Sequence, residues 1–247
     1  MFRLLWVARI CALLWMSSAA NAGFIMLPTS SGGGGGGPTA IQTVISALQA
    51  SPNTSVTVTL SAVGAGHTIV CGIIWLTDAT ALSSVTDGTN TYTRVLDQGS
   101  GSGFARTTVA YSVSVSGSPT VITANWGSAV SDSQIGCTEI ATVTALDGTG
   151  AAQIQVNPGT STDAVTSGTF TAATGSDYLW GFSTNTNSPA ALTGAGTGFT
   201  QLAQDSNTAN WGFTLEGKVS GSGSVAATFT TPASSSQHWY TSALAFH

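Results

Sequence analysis

Apolar and polar residues alternate in short runs along most of the chain, and turn-forming residues separate the runs. Residues 56–61 read VTVTLS, in which valine and leucine alternate with threonine and serine. A second run places its apolar side chains on one face, at Val109, Tyr111, Val113 and Val115. Because successive side chains of a strand point to opposite faces, a period of two predicts half-buried β-strands. Glycine, serine, asparagine and aspartate between the runs complete the pattern of an all-β sandwich or barrel.

An internal repeat divides the chain into two halves, residues 40–145 and 146–247. Four matches occur in the same order in both: GHTIVCGI with GSDYLWGF, YTRVLDQ with FTQLAQD, VSGSPTV with VSGSGSV, and SQIGCTEIA with SQHWYTSAL. Ordered matches of this kind are typical of a duplicated structural unit. We therefore expect one β-sandwich domain over residues 40–247, built from two pseudo-repeated halves. In this alignment Cys71 corresponds to Trp180, and Cys137 corresponds to Tyr240.

The first 22 residues have the organisation of a secretory signal peptide. Arg3 and Arg9 accompany the apolar run Ile10–Met16, and the sequence Ala20-Asn21-Ala22 resembles a cleavage site. The apolar run is too short to cross a bilayer. We expect an exported protein, secreted or held at the cell surface, with no stable membrane insertion after cleavage.

Residues 23–39 predict a flexible segment, because six consecutive glycines occupy positions 32–37. The apolar residues Phe24, Ile25, Met26 and Leu27 precede these glycines. An apolar segment on a flexible tether is a candidate for a strand donated to a second copy in an assembly.

Charge excludes two classes of partner. After signal cleavage three cations remain, Arg94, Arg106 and Lys218, against ten acids. A chain with so few cations lacks the basic surface that nucleic acids and anionic lipids bind. We therefore expect no nucleic-acid partner.

Two cysteines, Cys71 and Cys137, remain after signal cleavage. An even number of cysteines in an oxidising compartment predicts a disulfide. A catalytic thiol needs a base nearby, and His67 lies about 13 Å away along an extended strand. A metal site needs further ligands, which do not occur at a useful spacing.

The sequence VTDGTNTYT at residues 85–93 predicts a hairpin turn. Asp87, Gly88 and Asn90 are residue types that tolerate positive φ and bond their own backbone. A calcium site formed by Asp87, Asn90 and Asp78 is the alternative, and it needs more oxygen ligands than these three supply.

This V-x-D…N-x-Y-T motif resembles a family of secreted bacterial β-sandwich modules, and the similarity extends over most of Ser55–His247. The resemblance implies a laminin-G-like or jelly-roll sandwich of the kind found in cell-surface, adhesive or appendage proteins. It also implies occasional association with carbohydrate-active domains, and it brings no catalytic residues.

Catalytic motifs are weak. The chain contains no G-x-S-x-G nucleophile elbow, no H-E-x-x-H sequence and no phosphate-binding loop after a strand. Its acids are scattered singly, so a glycosidase-like pair has to assemble in space. Glu139 and Glu216, both in predicted strands, are the acids to examine for such a pair. We expect a non-catalytic protein without a cofactor.

Aromatic residues supply the candidate binding site. Trp75 and Trp126 fall at strand ends beside turn residues, where an indole can stay half-exposed and stack on a sugar ring. Tyr92 in the hairpin completes this candidate set, and packing in the core is the alternative for all three. The predicted function is an extracellular structural or adhesive protein that binds itself or cell-surface glycans. The alternatives are a carbohydrate-binding module and a polysaccharide-degrading enzyme.

Overall fold

The computed structural model describes residues 36–49, 52–76, 79–99, 105–159, 165–173, 175–186, 194–205, 211–230 and 237–247. The signal segment, the apolar segment Phe24–Leu27 and Asp78 lie outside these residues. The described residues form strands and no helix, which confirms the predicted all-β class. No helix with the length and apolar character needed to cross a membrane occurs among them.

Seven strands come from the first half of the chain: β1 (Thr39–Ile45), β2 (Asn53–Thr59), β3 (Thr68–Leu76), β4 (Leu82–Thr86), β5 (Thr93–Gly99), β6 (Ala105–Ser112) and β7 (Val121–Ala141). Ten come from the second half: β8 (Leu146–Gly159), β9 (Val165–Thr166), β10 (Phe170–Ala172), β11 (Asp177–Thr186), β12 (Gly194–Ala195), β13 (Thr200–Asp205), β14 (Trp211–Ser220), β15 (Gly223–Val225), β16 (Thr228–Thr230) and β17 (Gln237–Phe246).

These strands form two large antiparallel sheets and several small ones. The first inner sheet has the order β1-β7-β3-β6-β5, and the second inner sheet has the order β13-β14-β11-β17-β8. The first part of β7 leaves the first inner sheet and pairs with β2 and β4, which forms the first outer sheet. The second outer sheet has the order β12-β16-β9, and β10 pairs with β15 beside it. Asp132, at φ 42°, lies where β7 passes from one sheet to the other.

Three apolar cores separate the four layers. The first outer core lies between the first outer and first inner sheets, and it includes Val56, Ile69, Cys71, Ile73, Trp75, Ile122, Trp126 and Cys137. The middle core lies between the two inner sheets, and it includes Val70, Ile74, Ile140, Trp180, Phe182, Phe213, Leu244 and Phe246. The second outer core lies beyond the second inner sheet, and it includes Val165, Leu179, Ala227, Phe229, Trp239 and Ala243.

This layering explains why β3 lacks the alternation seen in β2. In β2, Val56 and Val58 are buried while Thr57 and Thr59 are exposed. In β3 almost every residue is buried, because Cys71 faces the first outer core while Val70 and Ile74 face the middle core. A strand covered on both faces has a continuous apolar sequence.

Two glycines in the first inner sheet allow the inner sheets to approach closely. Gly72 and Gly136 are cross-strand partners on β3 and β7. A Cβ on Gly72 would lie 2.7 Å from Cγ of Phe182, and one on Gly136 would lie 2.6 Å from Cε1 of Phe213. The two phenylalanine rings pack on each other with centroids 4.8 Å apart. Both rings therefore sit where side chains of the first inner sheet would otherwise be.

Polar contacts also join the inner sheets. The indole Nε1–H of Trp180 donates to Oγ1 of Thr138 at 3.0 Å, and Nε2 of Gln134 donates to Oδ2 of Asp205 at 2.5 Å. Trp180 and Gln134 are fully buried. These bonds fix the register of one inner sheet on the other, because a slip would leave buried polar groups without partners.

The two inner sheets have the same strand order when strands are taken in chain order within each half. The residue alignment from the sequence is wrong, however. Cys71 faces the first outer core, whereas Trp180 faces the middle core, so the two residues do not occupy equivalent positions. A shift of one residue turns every side chain of a strand to the other face. The duplication itself stays a prediction.

The turns before β3 and β11 support an alignment of the two halves that differs from the sequence alignment by one residue. Gly66 has φ 80° and lies two residues before β3, and Ser176 has φ 71° and lies one residue before β11. Superposing these two positions places Cys71 on Gly181, which faces the second outer core. Tyr240 lies opposite Thr184, so Trp180 and Tyr240 are not cross-strand partners in the way that Cys71 and Cys137 are.

We expect Gly72→Ala to destabilise the protein by about 1–3 kcal/mol, because its methyl group would overlap the Phe182 ring. Phe182→Leu in the same chain should recover part of this loss, since it removes the ring. Urea unfolding of both single variants and the double variant measures the coupling between the two positions. Gly221→Ala is the control, because a Cβ at Gly221 meets nothing within 4 Å. Strictly additive losses, or equal losses at Gly72 and Gly221, would contradict this close contact.

Candidate functional site

The two cysteines form a disulfide. Cys71 and Cys137 are directly opposite on β3 and β7, and their sulfur atoms are 2.03 Å apart. Both residues are fully buried in the first outer core. The bond closes a loop with a sequence separation of 66 residues, which stabilises the folded state by about 4 kcal/mol in the chain-entropy model. The predicted pairing is confirmed, and its role is structural.

The aromatic binding candidates are not exposed. Trp75 is 0% exposed, Trp126 is 4% exposed and Tyr92 is 8% exposed. The two indoles pack edge to face with centroids 5.6 Å apart, and Nε1 of Trp75 donates to the carbonyl of Thr80. The expectation of half-exposed tryptophans is wrong. Trp75, near the end of β3, faces the first outer core, and Trp126 faces the same core from the part of β7 that belongs to the first outer sheet.

Asp87 forms the predicted turn. Its Oδ1 accepts hydrogen bonds from the backbone N–H groups of Thr89 and Asn90, at 2.9 and 2.7 Å. Its Oδ2 accepts from Nδ2 of Asn90 and from the Tyr92 hydroxyl. Burial raises the pKa of Asp87, but the hydrogen bonds from Asn90, Thr89 and Tyr92 together lower it below its usual value. Both carboxylate oxygens of Asp87 thus accept hydrogen bonds within the turn. Asp78, the third residue of the alternative calcium site, lies outside the described residues.

The amide of Asn90 extends this turn to a second loop. Its Oδ1 accepts from the backbone N–H of Ser116 at 2.8 Å, and its Nδ2 donates to the carbonyl of Ser116. The hairpin after β4 is therefore fastened to the loop between β6 and β7.

Glu139 and Glu216 cannot form a catalytic carboxylate pair. Glu139 lies opposite Ile69, whose side chain faces the first outer core. Glu216 lies opposite Gly181, on the side of the second outer core. Both inner sheets and the middle core lie between the two carboxyl groups. Packed sheets are about 10 Å apart, so the separation exceeds the 5–10 Å that glycosidases use.

Glu139 is instead the centre of a polar cluster, which we call the Glu139 cluster and define as Glu139, His67, Gly64 and Gln42. Its Oε1 lies 2.5 Å from Nδ1 of His67 and accepts the backbone N–H of Gly64 at 2.8 Å. Its Oε2 accepts Nε2 of Gln42 at 2.6 Å. These bonds connect β7 to β1 and to the loop before β3.

The geometry of His67 is that of an oriented imidazole. The Glu139 carboxyl group accepts the hydrogen bond, so Nδ1 of His67 is the donor, and this bond fixes the orientation of the ring. Its side chain is 30% exposed, whereas that of Glu139 is 2% exposed. Oriented histidines serve as bases or as metal ligands. The described residues contain no group of three or more histidine, cysteine and acidic side chains that could hold a metal.

The sequence contained one signal for this cluster. Glu139 is a single acid within the apolar run IGCTEIATV, and a buried carboxylate requires hydrogen-bonding partners. Its partners are distant in the chain, at separations of 72 residues for His67 and 97 for Gln42. Sequence reasoning therefore identified the acid and missed His67 and Gln42 as its partners.

Glu216 occupies a different environment in the second outer core. It is 0% exposed, and its Oε2 accepts the backbone N–H of Gly196 at 2.9 Å. Its Oε1 has no hydrogen-bond partner among the described residues. Burial raises the pKa of Glu216 to about 8, against the lowering effects of the Gly196 and Thr228 backbone N–H groups and of Lys218.

The three cations each have a contact within the fold. A guanidinium nitrogen of Arg94 donates to the carbonyl of Leu82. Arg106 makes two hydrogen bonds to the carboxylate of Asp97, at 2.7 and 3.0 Å. Nζ of Lys218 lies 4.1 Å from the ring centroid of Phe199. These contacts spread the positive charge over separate parts of the molecule.

Comparisons with known proteins gave no match to a family model, to a curated protein or to a solved structure. The resemblance to secreted β-sandwich modules is therefore still a hypothesis that rests on the hairpin motif.

We expect Glu139→Leu to lower the free energy of unfolding by about 2–4 kcal/mol, because it removes the acceptor of the part-buried Gly64 N–H and one of the two acceptors of the Gln42 amide. Asp97→Asn is the control, since the Asp97–Arg106 pair is partly exposed and such pairs contribute about 0–1 kcal/mol. Urea unfolding measures both. Equal effects of the two substitutions would show that the Glu139 cluster does not hold the first half together.

Proposed function

We propose that this protein is a non-catalytic extracellular structural protein that acts as a component of a surface assembly or filament. One observation carries the proposal: both faces of both inner sheets are covered by apolar cores. Sheet faces are where many β-sandwich proteins bind ligands. Here those faces hold the layers together.

The side chains of the described residues that are suited to chemistry also support the fold. The two cysteines are joined to each other, and Glu139 links β7 to β1 and to the loop before β3. The aromatic residues that were candidates for sugar stacking lie in the first outer core. A sugar-binding platform needs an exposed aromatic face, and these three residues do not provide one.

The compartment in the proposal rests on two observations. A buried disulfide persists in oxidising compartments and is rare in the cytosol. The first 22 residues also have the composition of a signal peptide. Together they favour secretion.

The edge of β2 favours self-association. Among the described strands, β2 pairs with β7 on one side only. Ser55, Thr57 and Thr59 are exposed along it, and the strand contains neither lysine nor proline. Charged residues and proline are the usual means by which edge strands avoid pairing with other chains. We propose that a strand from a second copy pairs with β2, and the segment Phe24–Leu27 is the candidate for that strand.

We expect the whole protein to form oligomers whose size rises with concentration, measured by light scattering and seen by electron microscopy. Thr57→Lys should reduce the assembly at least tenfold in apparent affinity, because it places a charge on the β2 edge. Thr89→Lys is the matched control, since it adds the same charge at an exposed hairpin position away from β2.

A monomer at every concentration would contradict the proposal. Tryptophan fluorescence with a panel of soluble glycans tests the alternative function in the same samples. Saturable binding by the monomer would replace the structural proposal with carbohydrate binding, whereas assembly without glycan binding supports the structural one.

A further inference from the structure

The carboxyl group of Glu216 connects three separate parts of the second half. It projects from β14 across Gly181 of β11, where a Cβ would lie 2.8 Å from Cγ of Glu216. Its Oε2 accepts the N–H of Gly196, directly after β12, and a hydrogen bond from the backbone of Thr228 in β16. Glu216 thus joins the second inner sheet to two strands of the second outer sheet.

The two segments held by Glu216 are also packed tightly on each other. A Cβ on Gly196 would lie 1.7 Å from the carbonyl oxygen of Thr228. Gly196 and Thr228, the two backbone segments that donate to the Glu216 carboxyl group, are therefore in direct contact with each other. The strands of this sheet are short, because β9 and β12 have two residues each and β16 has three.

The surroundings of Glu216 penalise a negative charge. Ala227 and Gly181 lie beside its side chain, and its Oε1 is buried without a partner in the described part of the chain. A buried carboxylate is stable only when its oxygens are hydrogen-bonded or paired with a cation. One oxygen of Glu216 has such bonds and the other has none.

Two charged or titratable groups of β11 and β14 share this face, and farther along the sheet Asp147 of β8 is buried, accepts the backbone N–H of Ala173 and lies beside His247. Lys218 lies two residues along β14, and its Nζ is directed over the ring of Phe199. Asp177 of β11 lies opposite Ser220, two residues beyond Lys218, and is fully buried. The other neighbouring positions are uncharged, namely Gly181 and Ser183 on β11, Gln201 on β13, Ala243 on β17, and Thr228 on β16.

We propose that Glu216 is a pH-dependent latch: its neutral carboxyl group holds the second outer sheet closed against the second inner sheet, and its ionisation accompanies local opening. Opening exposes the carboxyl to water, where it loses its proton readily. Protons therefore stabilise the closed form.

The direction and range of the effect follow from linkage. The carboxyl has its ordinary pKa of 4.5 when the sheet is open, and burial raises the pKa to about 8 when the sheet is closed. Below the open-form pKa of 4.5 the closed form has its full stability relative to the open form. This stability falls as the pH rises to the closed-form pKa of about 8. The equilibrium constant for opening should rise about tenfold per pH unit between pH 5 and 8, and then level off.

Hydrogen exchange with mass spectrometry on the whole protein tests the latch. Labelling times are scaled to the intrinsic exchange rate at each pH, so that protection reports opening. Peptides that contain Thr228–Thr230 should lose about tenfold in protection per unit between pH 5.5 and 7.5. Peptides from β2 in the first outer sheet should not change in this way.

Glu216→Gln should make the protection of β16 independent of pH, because it removes the titrating group and keeps its size. Asp132→Asn is the matched control, since it removes a carboxyl group in the first half of the chain, and its pH dependence should equal that of the unchanged protein. The proposal is wrong if Glu216→Gln retains the pH dependence, or if β16 and β2 respond equally in the unchanged protein.

If Glu216→Gln does not fold, Lys218→Met gives a second test. Attraction to the Lys218 charge lowers the pKa of Glu216. Removing this charge should raise that pKa, so the equilibrium constant for opening should continue to increase to a higher pH. An unchanged pH range in Lys218→Met would overturn the latch.

Discussion

The close approach of the two inner sheets at Gly72 and Gly136 is the contact on which the rest of this structure depends. The Phe182 and Phe213 rings fill the space where side chains of the first inner sheet would stand. Without that space the middle core could not close, and each half would be a thin sandwich with one face of its inner sheet exposed to water. The contact converts two thin sandwiches into four layers with three cores, which is why β3 is apolar on both faces.

Layering also determines where polar chemistry occurs. The middle core contains polar groups in hydrogen bonds between sheets, such as Trp180 to Thr138. Two buried glutamates lie on the outer sides of the inner sheets, Glu139 in the first half and Glu216 in the second. Glu139 accepts bonds at both oxygens and links strands firmly, whereas Glu216 has one oxygen without a described partner. The same residue type thus has both carboxyl oxygens bonded in one half and only one bonded, among the described residues, in the other.

The fold class and several details were predictable from the sequence, because they depend on interactions among few residues. Alternation in β2, turn chemistry at Asp87 and the pairing of two cysteines each depend on few residues and are confirmed by the structure. The prediction that Trp75 and Trp126 are half-exposed was wrong, because strands from other parts of the chain cover both side chains. The alignment of Cys71 with Trp180 was wrong by a single residue, enough to reverse the face. Gly72 matches Gly181 in the sequence repeat, which gave no sign that a ring from the other half packs on it.

The most direct test of this architecture is the chemical shift of the Gly72 α-protons, measured by NMR. The position of a Gly72 Cβ is nearly equidistant from Cγ, Cδ1 and Cδ2 of Phe182, at 2.7, 2.9 and 2.9 Å, so the α-proton there lies over the face of the ring. Ring current should move this proton well upfield of its value in an unfolded chain, and Phe182→Leu should abolish the shift. An unshifted Gly72 α-proton in the folded protein would contradict the packing of the two inner sheets and the three-core arrangement built on it.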